Sequence, residues 1–207
     1  MKTSNYILIA LFAFVTVSLL VLFISARGHK KGESGFESIQ KDYPLDSINV
    51  IVAEPEVMMH IHPFDKNVLV INYLKGEEEP ENLYRISNDT LFVLDIIRSK
   101  EMRMRMGIGV YVNHLSSVVA KNKADINIYD FASDKLEINA NQARVYLNNS
   151  SIKEVIIQAD NSEISMFSTN INFVVAKLEN ESNLRGDSKS ISKMDLEKDQ
   201  NSKINFY

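Results

Sequence analysis

The chain of 207 residues contains no cysteine. This excludes disulfides, and it excludes attachment to a membrane through a lipid-modified N-terminal cysteine. Basic residues are not in excess. Lys and Arg number 23 against 27 Asp and Glu, a net charge of −4, so the electrostatic footprint of a nucleic-acid-binding protein is missing. Histidines number four and the acids are scattered, so no nucleophile, base and metal set converges and no cofactor or enzymatic activity is expected. The paired Gly-Gly and Asp of a nine-residue calcium-binding β-roll are also absent. Beyond residue 26 there is no 3.6-residue apolar period, which leaves an all-β chain after that point.

What is present begins with one long apolar run. Tyr6 to Ser25 (YILIALFAFVTVSLLVLFIS) carries no charge, glycine or proline. Twenty helical residues span about 30 Å, the thickness of a bilayer core. The run is too long for the apolar region of a cleaved signal peptide, and Ile24-Ser25-Ala26 is a poor small-x-small cleavage site. A transmembrane signal anchor over 6–26 is therefore expected, after a short tail over 1–5. A flexible polar stalk follows over 27–43 (RGHKKGESGFESIQKD and Tyr43), and a β-solenoid domain over 44–207. Arg27, Lys30 and Lys31 follow the helix and only Lys2 precedes it, so the positive-inside rule alone would hold the domain in the cytoplasm. A near-N-terminal apolar segment normally delivers the downstream chain across the membrane, and large domains translocate with limited regard to local charge. The expectation is a single-pass inner-membrane protein with its C-terminal domain extracytoplasmic.

A five-residue phrase recurs through the second half of the chain: Asn122–Ile126, Asn141–Val145, Asp160–Ile164, Asn180–Leu184 and Gln200–Ile204. Its small central residue falls at Ala124, Ala143, Ser162, Ser182 and Ser202, at intervals of 19, 19, 20 and 20. Regular spacing of this size marks a solenoid. Within each copy apolar and polar residues alternate with a period of two, so each copy reads as a strand with one buried face. One strand per rung, stacked about 4.8 Å apart, gives a parallel β-solenoid with inner columns of three kinds. These are a polar ladder (Asn122, Asn141, Asp160, Asn180, Gln200), a small-residue ladder, and an aliphatic ladder (Ile126, Val145, Ile164, Leu184, Ile204). The polar ladder reads either as a ligand track or as amides bonding to corner backbone and to each other. The outer column, Asp125, Arg144, Glu163, Asn183 and Lys203, alternates in sign, which favours register over catalysis.

The middle of the chain keeps the alternation without the repeat. Ile48, Val50 and Val52 lead to a turn at Glu54-Pro55-Glu56. Val57, Met59 and Ile61 then alternate with Met58, His60 and His62, and after Pro63–Asn67 comes VLVINYL (Val68–Leu74). LYRI (Leu83–Ile86) and TLFVLDII (Thr90–Ile97) form two strands about a tight turn. His60 and His62, two apart, share one face of a strand and could supply two ligands to one metal, but no carboxylate stands at 58 or 64. Met102, Met104 and Met106 alternate with Arg103 and Arg105. The methionines then fill the interior, and Arg98, Arg103 and Arg105 form a candidate anion- or partner-binding stripe. Gly107-Ile108-Gly109 lacks the third glycine of a nucleotide-binding loop and marks close backbone packing instead.

With these features in hand, the chain resembles the head-GIN-domain family of auto-transporter adhesins from Bacteroidetes-type bacteria. The resemblance covers about Tyr43 to Tyr207. It rests on SINVIVAEPEVMMHI with VLVINY, on TLFVLDI, on the passage into SSVVAKNKADINI, and on ADNSEISMFS and LENESNL. It implies an exported, membrane-associated, right-handed parallel β-solenoid. The chain departs from the family in its few glycines and in its signal anchor in place of a lipobox. The expected function is a non-enzymatic, membrane-anchored envelope protein presenting the solenoid for binding or assembly, with a protein or glycan partner and no nucleic acid. The alternatives are a solenoid-type carbohydrate-active enzyme and an envelope sensor or assembly factor. Ile204, Phe206 and Tyr207 lie on the last strand and form a candidate edge for self-association.

Overall fold

The computed structural model describes residues 38–76, 82–94 and 107–207. The anchor predicted over 6–26 and the stripe of Arg98, Arg103 and Arg105 lie outside the described residues. Among those described, every regular element is a strand except one 3₁₀ turn, Ser188–Ser190. None contains a helix long and apolar enough to cross a membrane.

The first half of the described chain forms β1 (Ser38–Pro44), β2 (Val50–Ala53), β3 (Met58–Pro63), β4 (Val68–Leu74), β5 (Tyr84–Ser87), β6 (Thr90–Val93) and β7 (Gly107–Val112). The second half alternates short and long strands: β8 (Ser117–Lys121), β9 (Asp125–Tyr129), β10 (Ala132–Asn141), β11 (Arg144–Asn148), β12 (Ser151–Asp160), β13 (Glu163–Phe167), β14 (Asn170–Glu179), β15 (Asn183–Gly186), β16 (Ile191–Lys198) and β17 (Lys203–Phe206). They build two sheets. The first has the order β1-β4-β7-β3-β9-β11-β13-β15-β17, the second β16-β14-β12-β10-β8-β2-β6-β5. Each rung therefore contributes one strand to each sheet, where the repeat alone suggested one strand per rung.

The expected solenoid is present from β8 onward with all its ladders parallel. Upstream the order is shuffled. The rung β2–β3 lies between β6–β7 on one side and β8–β9 on the other. Beyond β6–β7, antiparallel pairings of β4 with β7, of β1 with β4 and of β5 with β6 finish that end. The all-parallel expectation over 44–207 is thus corrected, and so is the stalk boundary. Ser38–Pro44, assigned in large part to the stalk by composition, is a strand in register with Val68–Leu74. The tight turn between β5 and β6 has positive φ at both Asn88 (48°) and Asp89 (57°), the pairing a two-residue hairpin requires.

Two corners per turn account for the repeat. The first corner places Asn122, Gln142, Asn161 and Asn180 at positive φ (39°, 51°, 46° and 52°), a region that asparagine tolerates better than most residues. The second corner does the same at Asp130, Asn149 and Ser168. After the left-handed step, one residue long or two as at Asn122-Lys123 and Asn180-Glu181, the chain turns a side chain inward. Ala124, Ala143, Ser162, Ser182 and Ser202 are all buried at the first corner, and Phe131, Ser150 and Thr169 at the second. Main-chain amides then bond up the stack, Asn122 to Asn141 O (2.8 Å), Gln142 to Asp160 O (2.8 Å) and Asn161 to Glu179 O (3.0 Å). At Asn180 the acceptor is a side chain, Asp199 Oδ2 at 2.7 Å, and the other oxygen of that carboxylate takes the amides of Asn201 (3.1 Å) and Ser202 (2.8 Å). Hydrogen bonds from Ser202, Asn180 and Asn201 hold the Asp199 carboxyl below its ordinary value of 3.8. The interval of 20 between Ser162 and Ser182 comes from a corner with one more residue than the one at Asn161. Asn180 and Glu181 are both left-handed before Ser182 turns inward.

The core is two facing sets of aliphatic columns. Ile126, Val145, Ile164 and Leu184 stack on the first sheet, and Val118, Ile138, Ile157 and Ala176 on the second, all buried. Leu196, Ile204 and Phe206 pack against this core only in part. The polar ladder, expected inside the strand, is instead at the corner and in water. The strands begin at Asp125, Arg144, Glu163, Asn183 and Lys203, while Asn122, Asn141, Asn180 and Gln200 are exposed and Asp160 is half-buried. Asp160 accepts from Asn141 Nδ2 (3.3 Å) and from Asn180 Nδ2 (2.7 Å), so the amide-ladder reading holds at these rungs.

Near the last turn a missing side chain matters. A Cβ on Gly186 would lie 2.8 Å from Phe206 Cε1 and 3.0 Å from the carbonyl oxygen of Met166. Gly186→Ala is expected to cost about 1–3 kcal/mol, as overpacking in a core does. Adding Phe206→Leu should restore only part, because the carbonyl contact stays. Urea unfolding of the single and double variants checks this, and an unchanged midpoint in Gly186→Ala would remove the proposed role of the close approach.

Candidate functional site

The outward face of the first sheet carries two kinds of surface. On rungs β9, β11, β13 and β15 it is a charge ladder. Arg144 Nη2 lies 3.0 Å from Asp125 Oδ2, and Arg185 Nη1 lies 3.1 Å from Glu163 Oε1. Asp125 is buried and also accepts from Asn127 Nδ2 at 3.2 Å. The predicted alternating column is therefore in register, but Glu163 takes its cation from the neighbouring column. Burial, with the charges of Asp125 and Glu163, pushes the Tyr146 phenol above 10.0, so it stays protonated.

On rungs β7, β3 and β9 the same face is aromatic. The register sets His62 opposite Tyr111, and the next position of the β3–β9 ladder brings in Tyr129. The His62 ring lies 5.0 Å from Tyr129 at an interplanar angle of 8°, and 5.5 Å from Tyr111 at 22°. His60 is tilted against Tyr129 at 6.0 Å, and Phe64 meets Tyr111 edge-on at 6.0 Å. Gly109, opposite His60, leaves space beside this stack, since a Cβ there would lie 3.1 Å from the Tyr111 ring. The close packing expected at Gly107-Ile108-Gly109 is found at that point. Met58 and Phe64 stand at the margin of the stack, 55% and 52% exposed. Inward neighbours on the same strand, Met59 and Ile61, are fully buried. Met58 is thus presented to water by strand parity, and Phe64 follows the end of the strand on the same side as Tyr111.

His60 and His62 share the outward face, as their spacing indicated. Both rings are engaged with tyrosines, and no group of three or more His, Cys, Asp or Glu able to hold a metal occurs among the described residues. Burial, then the neighbouring His60, lowers the His62 pKa below 6.5, and Asp130 opposes the shift. The sequence points to the histidines but not to Tyr111, Tyr129 or Phe64. A signal for Tyr129 exists in the repeat, because it holds the outward parity beside the inward Ile128. Of the candidate edge residues, Ile204 and Phe206 are half-buried over the last turn and Tyr207 is 79% exposed. The main chain of Tyr207 is tied down on both sides, its amide to Gly186 O at 3.1 Å and its oxygen to Ser188 N at 3.0 Å.

A second concave surface lies where the second sheet meets the first corner, a groove of about 500 Å³ bordered by Asn139, Asn141, Gln158, Asp160 and Lys177 among others. Across the corner a similar hollow of about 450 Å³ is lined by Gln142, Arg144, Asn161 and Glu163.

No protein-family model matches the sequence, and no curated protein matches it. Solved structures similar to this chain include a "putative adhesin" from Bacteroides fragilis, with 17% identity and a TM-score of 0.47 over 83% of this chain and 97% of that one. A "putative adhesin" from Parabacteroides distasonis has 9% identity and a TM-score of 0.46, covering 84% of this chain and 98% of that one. A "putative lipid binding protein" from the same organism has 10% identity and a TM-score of 0.40 with the same coverage. No site residue follows from likenesses at this level.

The His62 shift has a defined sign. Its folded pKa lies below the unfolded value of 6.5, so its contribution is fully present above that pH. The contribution is lost as pH falls from 6.5 toward the folded value, where the unfolded chain takes up a proton that the fold resists. Melting temperature should therefore drop on acidification through this window, and His62→Phe, which keeps the stacking, should flatten that part of the profile. An identical profile in the variant would show that the stack does not oppose protonation.

Proposed function

We propose that the chain is a non-enzymatic envelope protein, anchored by residues 6–26 in the inner membrane, that presents its solenoid on the extracytoplasmic side as an adhesin-like binding surface. The observation that supports this reading is the outward aromatic face of Met58, His60, His62, Phe64, Tyr111 and Tyr129. Tyrosines and other aromatics concentrate at recognition surfaces, and an exposed apolar patch set on a rigid sheet is a common feature of such sites. The head-GIN resemblance, with its implied right-handed coil and export, agrees with it. Self-association through the β16–β17 edge and anion binding by Arg98, Arg103 and Arg105 belong to the same proposal.

Full-length protein in lipid nanodiscs, immobilised and exposed to solubilised envelope material, tests the reading. Met58→Ser with Phe64→Ser should reduce retention of that material about tenfold. Stability should move by no more than ~0.5 kcal/mol, as for exposed positions generally. Equal retention by the variant overturns the assignment of this face. Release of new reducing or unsaturated sugar ends overturns the non-enzymatic reading in favour of a carbohydrate-active enzyme. Protease treatment should digest the domain in spheroplasts and leave it intact in whole cells; protection in both would place it in the cytoplasm. Sedimentation of the full chain over a range of concentrations should reveal association, and a strict monomer throughout would remove the β16–β17 edge as a contact.

A further inference from the structure

The groove beside the first corner crosses successive rungs. Its floor is the main chain at Ala120, Ala140 and Ala159, whose methyl groups are turned into the core. Contributions from β8, β10, β12 and β14 spread it over four strands, a length of about 14 Å at the usual strand separation. A volume of about 500 Å³ is that of a ligand site, and its shape favours an extended occupant lying along the stack.

The lysines in the groove are already paired. Lys121 Nζ is 3.4 Å from Glu54 Oε1, and Lys177 Nζ is 3.0 Å from Glu179 Oε1. Asp160 is occupied by Asn141 and Asn180. No free cation is left to recruit a polyanion, and the single carboxylate in excess, Asp160, is too little charge to select a polycation. By contrast the side-chain amides of Asn139 and Gln158, residues directly opposite each other on β10 and β12, make no hydrogen bond to another described residue. Each amide offers two donors and an acceptor, which suits a hydroxyl that both gives and takes hydrogen bonds. Val119, half-buried and next in the same column, adds an apolar contact of the kind the C–H face of a sugar ring can use.

We propose that this groove binds a neutral glycan strand lying along the solenoid axis, with the Asn139 and Gln158 amides bonding to its hydroxyls. This goes beyond the aromatic face and uses no residue of it. The test is a glycan array probed with the full-length protein in nanodiscs, followed by titration of the best neutral hit. Asn139→Ala with Gln158→Ala should weaken binding about tenfold or more, the effect of losing a few neutral hydrogen bonds. Met58→Ser with Phe64→Ser should leave the affinity unchanged, and raising the salt concentration should change it little, since no ion pair is being screened. Both amides point outward, so melting temperatures should match the wild type and exclude misfolding as the cause. The proposal is overturned if no neutral glycan binds, if only acidic glycans bind and do so in a salt-dependent way, or if the double amide variant binds as the wild type does. None of these outcomes bears on the aromatic face, whose own test is retention of envelope material.

Discussion

The structure depends on one or two residues per corner that hold a left-handed backbone, from which main-chain amides such as those of Asn122, Gln142, Asn149 and Asn161 bond to the next rung. Without them the chain could not leave one sheet and enter the other within two or three residues. At Gln142 and Asn161 the left-handed step is followed at once by an inward small residue, so the corner closes over Ala143 or Ser162. The hydroxyl of Ser162 takes the amide of Ala143 at 3.0 Å and gives to Asp160 O at 2.7 Å. Ser182 takes the amide of Ser162 at 3.2 Å in the same way. A larger inward residue would open the corner, and an alanine at position 162 or 182 would leave a buried amide unpaired, at a cost of about 1–3 kcal/mol. Small size and a hydroxyl meet two separate demands at one position.

This constraint propagates into everything the rungs carry. Once corners stack, every side chain has a neighbour about 4.8 Å above and below it, and like residues fall into columns. Buried columns become aliphatic. Exposed columns gain where unlike charges meet on adjacent rungs, as Arg144 and Asp125 do. At Asn180 the neighbouring rung no longer offers a main-chain acceptor to the corner amide, and the Asp199 carboxylate takes its place. The ladder of corner bonds is thus completed by chemistry borrowed from a side chain.

How much of this can be read from the residues alone depends on which strand is considered. The short strands after the first corner alternate cleanly: Val145 and Leu147 point in, Arg144 and Tyr146 out, and the period of two is plain. The longer strands of the second sheet are less legible because their outward positions are also apolar. Val155-Ile156-Ile157 and Val174-Val175-Ala176 read as continuous apolar runs, in which Ile156 and Val175 are only half-buried on the outer side. The asparagines are visible in the repeat, but their position is not. Alternation carried back from Ile126 places Asn122 on the inner face, and only the left-handed turn at the corner moves it out to water. The shuffled order of β2–β3 and β6–β7 is a matter of long-range pairing, which no local pattern records. The aromatic face follows from that pairing, since Tyr111, His62 and Tyr129 come from three rungs that are not consecutive along the chain.

Stacked rungs favour extended recognition sites over compact catalytic ones. Side chains on a flat sheet project in parallel, so converging several acids on one atom requires an insertion or a bend. Hydrogen-bonding amides in a column need neither, because register alone aligns Asn139 with Gln158. The aromatic face works by the same rule. Register sets His62 beside Tyr111 and Tyr129, where its ring stacks on theirs at 22° and 8°. Each such pair contributes about 0.5–1.5 kcal/mol beyond the area it covers, so the rings are held in place before anything binds. Rings held in this way would lose little freedom on meeting a partner, which raises affinity without adding contacts. The corner that makes the stack possible therefore also fixes the geometry of both outward surfaces proposed for binding, and register alone sets which outward residues stand side by side on them.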